Sequence, residues 1–435
     1  IRDIFLVPAP HIAALFHGGT PNGRYEKELV LQRIKEPLVS STRQDDIENA
    51  IHTTLKNKET LLLEAGIGNG KYTALVKAIL KHHEGTKEKT LISVASTGLQ
   101  EILFNTIFPE FQKKNDTNGI VLVKEMQKYI SPKRLAAYVD KPKKTPEEAC
   151  FAAKIYLWST YTENGEQDEI SLTNEEYRRW ENINVNPWQC DITTEPYLQK
   201  AYKKEENAAI LVCYHRALAK EVMSPINHLK KIQNLVICEA HQFEKQVVAA
   251  TSRIYSLDII RERFPIPEAI TQKLEFFFGM LGMIFNTFTT NPGDSLLIQD
   301  SHRNSKEWQQ IRELFFGLVE QLKEGFDSNT SVYGELLEEL SIIENLFSNE
   351  KQTSSAVLYQ NHEEQIRLRY IPIETMDTLW NMDFFKEQTS RIFMSSIMRV
   401  AKSFDYIRDR LRIPETAKEC VIPANPEITK NLKVI

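Results

Sequence analysis

The chain has 435 residues, enough for two to four domains with a substantial buried core. Hydrophobic residues make up 42% of the chain and charged residues 26%, a balance that excludes wholesale disorder and fibrous classes. The formal net charge of −5 excludes a histone-like overall attraction to nucleic acid, while a local basic groove is still compatible with it.

The spacing of the cysteines and the hydropathy of the chain indicate in which cellular compartment the protein is expected. The five cysteines are widely spaced and include no Cys-x-x-Cys pair, a pattern typical of free thiols in a reducing cytoplasm. The longest apolar run, 274–288, contains Glu275 and Asn286 and is too short to cross a bilayer. No signal peptide is recognisable, so we expect a cytoplasmic protein without a membrane partner. The first residue is Ile1 rather than Met, which suggests a piece of something longer.

Short apolar runs alternate with helical patterns along much of the chain. The runs with the length and composition of buried parallel strands are 59–64, 91–95, 210–213, 235–238 and 391–395. Helical patterns follow the first two runs, at 73–82 and 99–104. This alternation predicts an α/β fold built on a parallel sheet.

Two long stretches interrupt the alternation. Residues 124–208 are polar and rich in lysine, whereas 252–355 show mostly helical patterns. Residues 356–372 alternate between apolar and polar positions and predict a β-hairpin. We therefore expect two insertions in the sheet domain, the second of them mainly helical.

A glycine-rich turn lies between the first predicted strand and the first predicted helix, in the sequence Ala-Gly-Ile-Gly-Asn-Gly-Lys-Tyr over 65–72. A Walker A phosphate loop belongs at this point, where backbone N–H groups converge on phosphate oxygens at a helix N-terminus. The lysine would reach the outer phosphates. The predicted nucleotide-binding residues are Gly66, Gly68, Asn69, Gly70, Lys71 and Tyr72.

The turn departs from the Walker A pattern at two positions. Tyr72 stands where a Ser or Thr hydroxyl ligates Mg²⁺, and Ala65 stands at the first glycine position. A phenol projects too far to ligate the ion in the same way, and Thr73 would face another side of the helix. The pattern therefore favours phosphate binding without good Mg²⁺ ligation over full ATPase competence. A glycine turn that binds no ligand is the alternative.

A second polar motif, Cys-Glu-Ala-His over 238–241, follows the predicted strand 235–238. It resembles the DEAH box of superfamily 2 helicases, with Cys238 in place of the first Asp. In that box the Asp holds Mg²⁺ through water, and the Glu orients or deprotonates the attacking water. The resemblance makes Glu239 and His241 the candidate catalytic residues.

Further segments follow the motif order of one helicase family. They are Gln44 ahead of the glycine turn, then 93–100, 210–218, 393–398 and 403–406. Together with the two motifs above, they resemble the DinG/XPD branch of DNA helicases over residues 37–414, and the DinG side most closely. The resemblance implies that Gln44 reads adenine, and that Thr97, Gln100 and His215 contact DNA.

The family architecture accounts for both interruptions. It implies a RecA-like motor domain in three parts, an insertion equivalent to an iron–sulfur domain, and a mainly helical arch. The resemblance implies an N-terminal extension at 1–36 and a motor domain made of 37–123, 209–251 and 371–414. The equivalent of the iron–sulfur domain would be 124–208, and the arch would be 252–370. Residues 415–435 would form a linker toward a second motor domain that is absent from this chain.

The first insertion departs from the family at its cluster ligands. Ser131 occupies the place of the first cluster cysteine, and only Cys150 and Cys190 remain between 124 and 208. A cubane cluster needs four thiolates. We therefore predict no iron–sulfur cluster and no other metal site, with packing by Trp158, Tyr177, Trp180 and Trp188 in place of the cluster.

Three functions are compatible with these patterns. The leading hypothesis is a DinG-like protein that binds single-stranded or forked DNA and ATP, with hydrolysis and unwinding impaired or lost. One alternative is an active ATP-dependent 5′–3′ DNA helicase, completed by a second RecA-like domain and carried in a longer chain that also bears an exonuclease. The other is a non-catalytic structural subunit.

Overall fold

The computed structural model describes residues 42–109, 119–142, 145–186, 190–224, 228–264, 266–289, 294–327, 336–337, 339–348, 354–360 and 365–426. The chain divides into two compact units. The second unit is Val248–Thr378, and the first comprises the rest of the described chain. The predicted N-terminal extension 1–36 lies outside the described residues.

The strands are β1 Thr60–Ala65, β2 Thr90–Val94, β3 Ile120–Leu122, β4 Ile210–Tyr214, β5 Asn234–Cys238, β6 Arg253–Tyr255, β7 Ser295–Leu297, β8 Ser354–Gln360, β9 Ile366–Pro372, β10 Ser390–Ser395 and β11 Lys418–Ile422. The five strands predicted from apolar runs are therefore present, each within a residue or two of the expected bounds.

The α-helices are α1 Thr42–Asn57, α2 Lys71–Thr86, α3 Thr97–Ile102, α4 Pro132–Asp140, α5 Pro146–Ser159, α6 Asn174–Trp180, α7 Pro196–Asn207, α8 His215–Met223, α9 Phe243–Thr251, α10 Leu257–Arg263, α11 Glu268–Phe288, α12 Asp300–Arg303, α13 Lys306–Asp327, α14 Glu344–Phe347, α15 Thr375–Trp380, α16 Asp383–Lys386 and α17 Asp405–Arg410. None of the helices found in the described ranges is long and apolar enough to cross a membrane.

The first unit is built on a seven-stranded sheet in the order β11-β1-β10-β5-β2-β4-β3. All of its neighbouring strands pair in parallel. Strands β2 and β5 are buried along their whole length, as expected for apolar runs covered by helices on both faces. The predicted α/β fold with a parallel sheet is confirmed, and it is consistent with the RecA-like class.

The sheet core is aliphatic. Helices α1 and α2 bury Ile47, Ile51, Leu75 and Ile79 against strand residues such as Leu63 in one apolar cluster. The spacing of four between Ile47 and Ile51, and between Leu75 and Ile79, places each pair on one helix face. This packing fixes the N-terminus of α2, and with it the glycine turn, at the end of β1.

The segment 415–435, expected to be a linker, contributes a strand to the sheet. Residues Leu61–Ala65 of β1 pair in parallel with β11 in the register Leu61↔Lys418 to Ala65↔Ile422. The expectation of a linker was wrong for Lys418–Ile422. This strand was not recognised because it lies at the edge of the sheet and two of its five residues are charged, so it lacks the continuous apolar run of a central strand.

The insertion 124–208 has a small core of its own around Trp158 and Trp180, whose ring centroids lie 6.0 Å apart. Both tryptophans are buried, as predicted, whereas Tyr177 is 46% exposed and does not fill that core. Trp188 lies outside the described residues. The Trp180 indole N–H donates to the carbonyl of Gln127 at 2.8 Å, so the buried indole nitrogen has a hydrogen-bond partner.

The second unit combines helices with a four-stranded antiparallel sheet in the order β6-β9-β8-β7. Its long helices α11 and α13 bury Phe277, Phe315 and their aliphatic neighbours against Leu358 and Leu368 of the sheet. The predicted hairpin is formed by β8 and β9, which pair from Ser354↔Pro372 to Gln360↔Ile366. Strands β6 and β7 were missed because each has only three residues.

Candidate nucleotide site

Three neighbouring strands deliver the candidate site. Strand β10 lies between β1 and β5, with Glu64 in register with Ser395 and Met394 in register with Cys238. Because the strands are parallel, their carboxyl ends meet at one edge of the sheet. The glycine turn after β1, the serines at the end of β10 and Glu239 after β5 therefore lie side by side.

The glycine turn has the backbone geometry that only glycine adopts readily. Gly68 and Gly70 have φ values of 83° and 65°, in the left-handed region. Gly66 is required for a different reason, since a Cβ there would lie 2.3 Å from the backbone nitrogen of Ala424. The N–H of Gly66 donates to the carbonyl of Ile422 at 2.8 Å. The residues after β11 thus support the turn from one side.

Gln44 and Asn69 both lie against the turn. A Cβ on Gly70 would lie 3.1 Å from Oε1 of Gln44, which places this α1 side chain beside the start of α2. The Asn69 side-chain amide donates to the carbonyls of Gly66 at 3.0 Å and Pro423 at 2.9 Å. Asn69 therefore braces the turn against the residues after β11 rather than directing its amide N–H groups at a ligand.

Lys71 is the first residue of α2 and is 5% exposed. Its Nζ lies 3.3 Å from Oε1 of Glu239 and donates to the Ser396 hydroxyl. A buried lysine requires such partners, because an ammonium transferred out of water without them is strongly destabilised. The two predicted motifs therefore meet at an ion pair between Lys71 and Glu239.

Tyr72, the residue at the Mg²⁺-ligand position, also contacts Glu239. Its phenolic hydroxyl donates a hydrogen bond to Glu239 Oε1. The Lys71 ammonium lies 5.0 Å from the centroid of the tyrosine ring, within the range of a cation–π contact. The tyrosine therefore spans the gap between the glycine turn and the second motif without a metal ion.

The other oxygen of Glu239 faces β10. Ser395 donates to Glu239 Oε2 at 3.1 Å and lies 2.8 Å from Nδ1 of His241. Because the serine proton is directed at the carboxylate, Nδ1 of His241 acts as the donor toward Ser395. Glu239 itself has a φ of 53°, a left-handed conformation that is costly for a residue with a Cβ. The strained backbone therefore belongs to the residue whose carboxylate is contacted by Lys71, Tyr72 and Ser395.

The residues present do not fit the Mg²⁺ ion that the fold class implies. Cys238 is completely buried, and burial together with the neighbouring Glu239 raises the pKa of its thiol, so the neutral form prevails. Tyr72 directs its hydroxyl at Glu239 rather than at an ion. Within the described ranges, no group of three or more His, Cys, Asp or Glu side chains could hold a metal.

Two of the three residues predicted to contact DNA, Gln100 and His215, are buried. His215 is completely buried, with Nδ1 2.6 Å from the Ser93 hydroxyl and its ring 5.0 Å from that of Phe243. Burial lowers the pKa of His215 to about 3, so the imidazole is neutral. Gln100 is 4% exposed. Neither side chain offers a surface to DNA in this structure; Thr97 begins helix α3 at the same edge of the sheet.

The first insertion likewise offers no cluster ligands at the expected place. Ser131 is buried and donates to Oε1 of Glu195 at 2.7 Å, while its oxygen caps α4 by accepting from the N–H of Arg134. Cys150 is exposed and Cys190 half-buried, and burial raises the pKa of the Cys190 thiol to about 11. Two thiols do not fit a four-thiolate cluster, and its absence remains a prediction from the sequence.

Sequence reasoning gave no role to Glu64 or to Arg399. The Glu64 carboxylate accepts from the backbone N–H groups of Met398 and Arg399, both at 2.8 Å, and from the Arg399 guanidinium at 3.0 Å. Burial acts to raise the pKa of Glu64, but these hydrogen bonds lower it below its usual value. The signal was available, because parallel β1 and β10 end at the same edge of the sheet.

The chain is similar in sequence to a DNA helicase. No family model matches the chain. The ATP-dependent DNA helicase YoaA of Haemophilus influenzae is 22% identical over 405 residues, a match that covers 86% of this chain and 62% of that helicase. The chain therefore spans less than two thirds of the length of this relative.

Solved structures that resemble the chain include XPD proteins. One described as "XPD_Helicase" is 17% identical with a TM-score of 0.49, and the match covers 89% of this chain and 63% of that one. One described as "XPD_APO" is 13% identical with a TM-score of 0.44, covering 88% and 59%. Xpd4 of S. tokodaii is 11% identical with a TM-score of 0.43, covering 88% and 61%.

The similarity to YoaA supports the relationship to DinG/XPD-type superfamily 2 helicases that was inferred from motif order.

Proposed function

We propose that this chain is a DinG-like, helicase-related protein that binds DNA and nucleotide, and in which ATP hydrolysis and unwinding are impaired or lost. The observation that carries the proposal is the 3.3 Å ion pair between Lys71 Nζ and Glu239 Oε1 at the carboxyl edge of a parallel sheet. It supports a nucleotide site in the place where the two helicase motifs would form one.

Nucleotide binding is supported by the glycine turn and by the helix that begins directly after it. Gly68 and Gly70 adopt left-handed conformations just before a 16-residue helix, whose N-terminus carries partial positive charge. Lys71 adds a full positive charge at the first position of that helix. Gln44 packs beside Gly70, which is consistent with the adenine-reading role that the resemblance assigned to it.

Impaired hydrolysis is supported by the state of Glu239. Its carboxylate is contacted by Tyr72, Lys71 and Ser395, so the three donors compete with any water that it would orient. A metal ion stabilises charge that develops in the transition state, so poor Mg²⁺ ligation lowers the rate of hydrolysis far more than it weakens binding.

DNA binding is proposed from kinship rather than from a contact surface. The relative YoaA is named an ATP-dependent DNA helicase, and the motif order of this chain follows the same family. Single-stranded or forked DNA is the expected ligand. The match covers 62% of that helicase, and we extend the proposal to a second RecA-like domain or an exonuclease domain in the full-length chain.

Three measurements on the purified chain test the proposal. Fluorescence titration with mant-ATP is expected to show saturable binding, and fluorescence anisotropy is expected to show tighter binding of a labelled fork than of a blunt duplex. Release of inorganic phosphate is expected to be absent or very slow, with and without single-stranded DNA. Failure to bind mant-ATP would favour a non-catalytic structural subunit, whereas DNA-stimulated phosphate release would show an active motor.

A further inference from the structure

We infer that the nucleotide site takes a nucleoside triphosphate without a divalent cation, because Tyr72 and Lys71 already compensate the negative charge of Glu239. The inference rests on the proposed function, since it concerns the same site. It goes beyond impaired hydrolysis, because it specifies which form of the ligand the site accepts.

A divalent cation at this site would need oxygen ligands that the neighbouring side chains do not supply. A Mg²⁺ ion binds to hard oxygen ligands in octahedral geometry, commonly one or two carboxylates with water and phosphate oxygens. Here one neighbouring side chain is the thiol of Cys238, which is fully buried and held neutral by its raised pKa. A neutral thiol in an apolar core gives the ion neither charge nor a hard oxygen.

Tyr72 replaces a possible cation ligand with a contact to the second motif. A short hydroxyl side chain at this position would stay close to the helix N-terminus, where phosphates bind. The Tyr72 hydroxyl lies instead on Glu239 Oε1, across the gap between α2 and the end of β5. The glycine turn and the second motif are therefore linked by a direct hydrogen bond between two side chains of the same chain.

The negative charge of Glu239 is compensated by neighbouring side chains. A carboxylate next to bound phosphates repels them unless a cation or hydrogen-bond donors compensate for its charge. Lys71, Tyr72 and Ser395 all place donor groups on Glu239, and the side chain of this glutamate is only 16% exposed. The carboxylate is thus compensated by the protein before a ligand arrives.

Glu64 supplies a second carboxylate at this edge of the sheet. Glu64 accepts hydrogen bonds from two backbone N–H groups and from the Arg399 guanidinium, which forms an ion pair with it at 3.0 Å. Its charge is therefore neutralised within the fold as well. With both carboxylates compensated, the glycine-turn N–H groups and the N-terminus of α2 can bind phosphate oxygens without an added cation.

The test compares mant-ATP affinity in excess Mg²⁺ with affinity in excess EDTA, at equal ionic strength, on the unmodified chain. Equal dissociation constants within about threefold are expected, a difference of less than about 0.7 kcal/mol. Affinity in EDTA that is tenfold weaker or more would overturn the inference while leaving the proposed function intact. No binding in either buffer would instead overturn the proposed nucleotide binding itself.

A variant assigns the effect to the two positions. The double substitution Tyr72→Thr with Cys238→Asp restores both metal-ligand types and is expected to bind mant-ATP at least tenfold more tightly with Mg²⁺ than with EDTA. A double variant that folds and stays indifferent to Mg²⁺ would overturn the assignment. Lys81→Ala, an exposed position on the same helix, is the matched control and is expected to keep the ratio of the unmodified chain.

Discussion

Lys71 Nζ and Glu239 Oε1 lie 3.3 Å apart, although more than 160 residues separate the glycine turn from the second motif in sequence. The pair forms because β1 and β5 flank the same central strand, β10, and end at the same edge of the sheet. Each residue belongs to a short pattern that is weak evidence on its own. Their contact joins the two patterns into one site.

The first prediction concerns Lys71. Lys71→Ala removes the positive charge of the lysine at the start of α2, which we expect to contact the phosphates. The affinity for mant-ATP is therefore expected to fall at least tenfold, which corresponds to a loss of about 1.4 kcal/mol in binding free energy. Fluorescence titration measures the loss, and a thermal melt verifies that the variant folds. Lys81→Ala on the exposed side of the helix is the control. Unchanged affinity in Lys71→Ala would show that the lysine does not contact the phosphates.

The second prediction concerns the support beneath the turn. A Cβ on Gly66 would lie 2.3 Å from the nitrogen and 2.5 Å from the Cα of Ala424, and backbone atoms cannot rotate away as a side chain can. We expect Gly66→Ala to lower the free energy of unfolding by about 2 kcal/mol or more, measured by urea denaturation.

Gly85→Ala is the matched control for this prediction. Gly85 lies near the end of α2, and a Cβ there would meet no heavy atom within 4 Å. We expect that variant to be neutral, or more stable by up to about 1 kcal/mol, because alanine favours the helix. Equal stabilities of the two variants would show that Ala424 moves away from the turn at little cost.

The sequence predicted the parts of the fold that have strong local patterns. Buried parallel strands such as β2 and β5 are continuous apolar runs, and the glycine turn is recognisable by composition. Strand β11 was not predicted because Lys418 and Glu419 interrupt its pattern, and it becomes a strand only by pairing with β1. Tertiary pairing, rather than local propensity, decides such an edge strand.

The candidate site was predictable in its members but not in their partners. The motifs indicated Lys71, Tyr72 and Glu239, yet no local rule says that the Tyr72 hydroxyl reaches Glu239. His215 shows the opposite case, since a motif position that the resemblance assigned to DNA is buried against Phe243. Motif order locates a residue along the chain, whereas the direction of its side chain depends on packing that the sequence does not display.

The third prediction concerns Ser131, at the place of a family cluster cysteine. Its hydroxyl caps α4 and donates to the Glu195 carboxyl, which is 6% exposed and whose pKa is raised by burial. Ser131→Ala removes both contacts, so we expect a loss of about 2–3 kcal/mol in the free energy of unfolding, measured by urea denaturation.

Thr145→Ala separates the two contributions of Ser131. Thr145 caps α5 in the same way, by accepting from the N–H of Glu148, but it is exposed. We expect that variant to lose only the cap, about 1 kcal/mol, in the same denaturation measurement. If both variants lose the same amount, the hydrogen bond to Glu195 contributes nothing to stability.

The fourth prediction concerns pH and the buried His228. Its Nε2 bonds to Glu205 and its Nδ1 lies 3.0 Å from Glu221, while the Tyr202 ring stacks on the imidazole with centroids 3.6 Å apart. Burial alone would lower the pKa of His228, but the two carboxylates raise it to about 9. The imidazolium therefore connects α7, which ends the first insertion, to α8 of the sheet domain.

The sign of the pH dependence is set by linkage. The folded-state pKa of His228 lies above the unfolded value of about 6.5, so its stabilising contribution is complete below pH 6.5 and is lost as the pH rises through 9. Burial also raises the pKa of Glu205, which makes stability decrease as the pH rises through the range in which this carboxyl titrates. The two groups act in the same direction, so neither cancels the other.

We therefore expect the free energy of unfolding to decrease by roughly 2–3 kcal/mol between about pH 6.5 and about pH 9.5, measured by urea denaturation at each pH. His228→Gln keeps a donor for one carboxylate but loses the titrating charge, so it is expected to be less stable than the unmodified chain at the lower pH and to show a much flatter slope. Glu205→Gln leaves Glu221 as the remaining partner and is expected to show an intermediate slope. A slope that is unchanged in His228→Gln would assign the pH dependence to other groups.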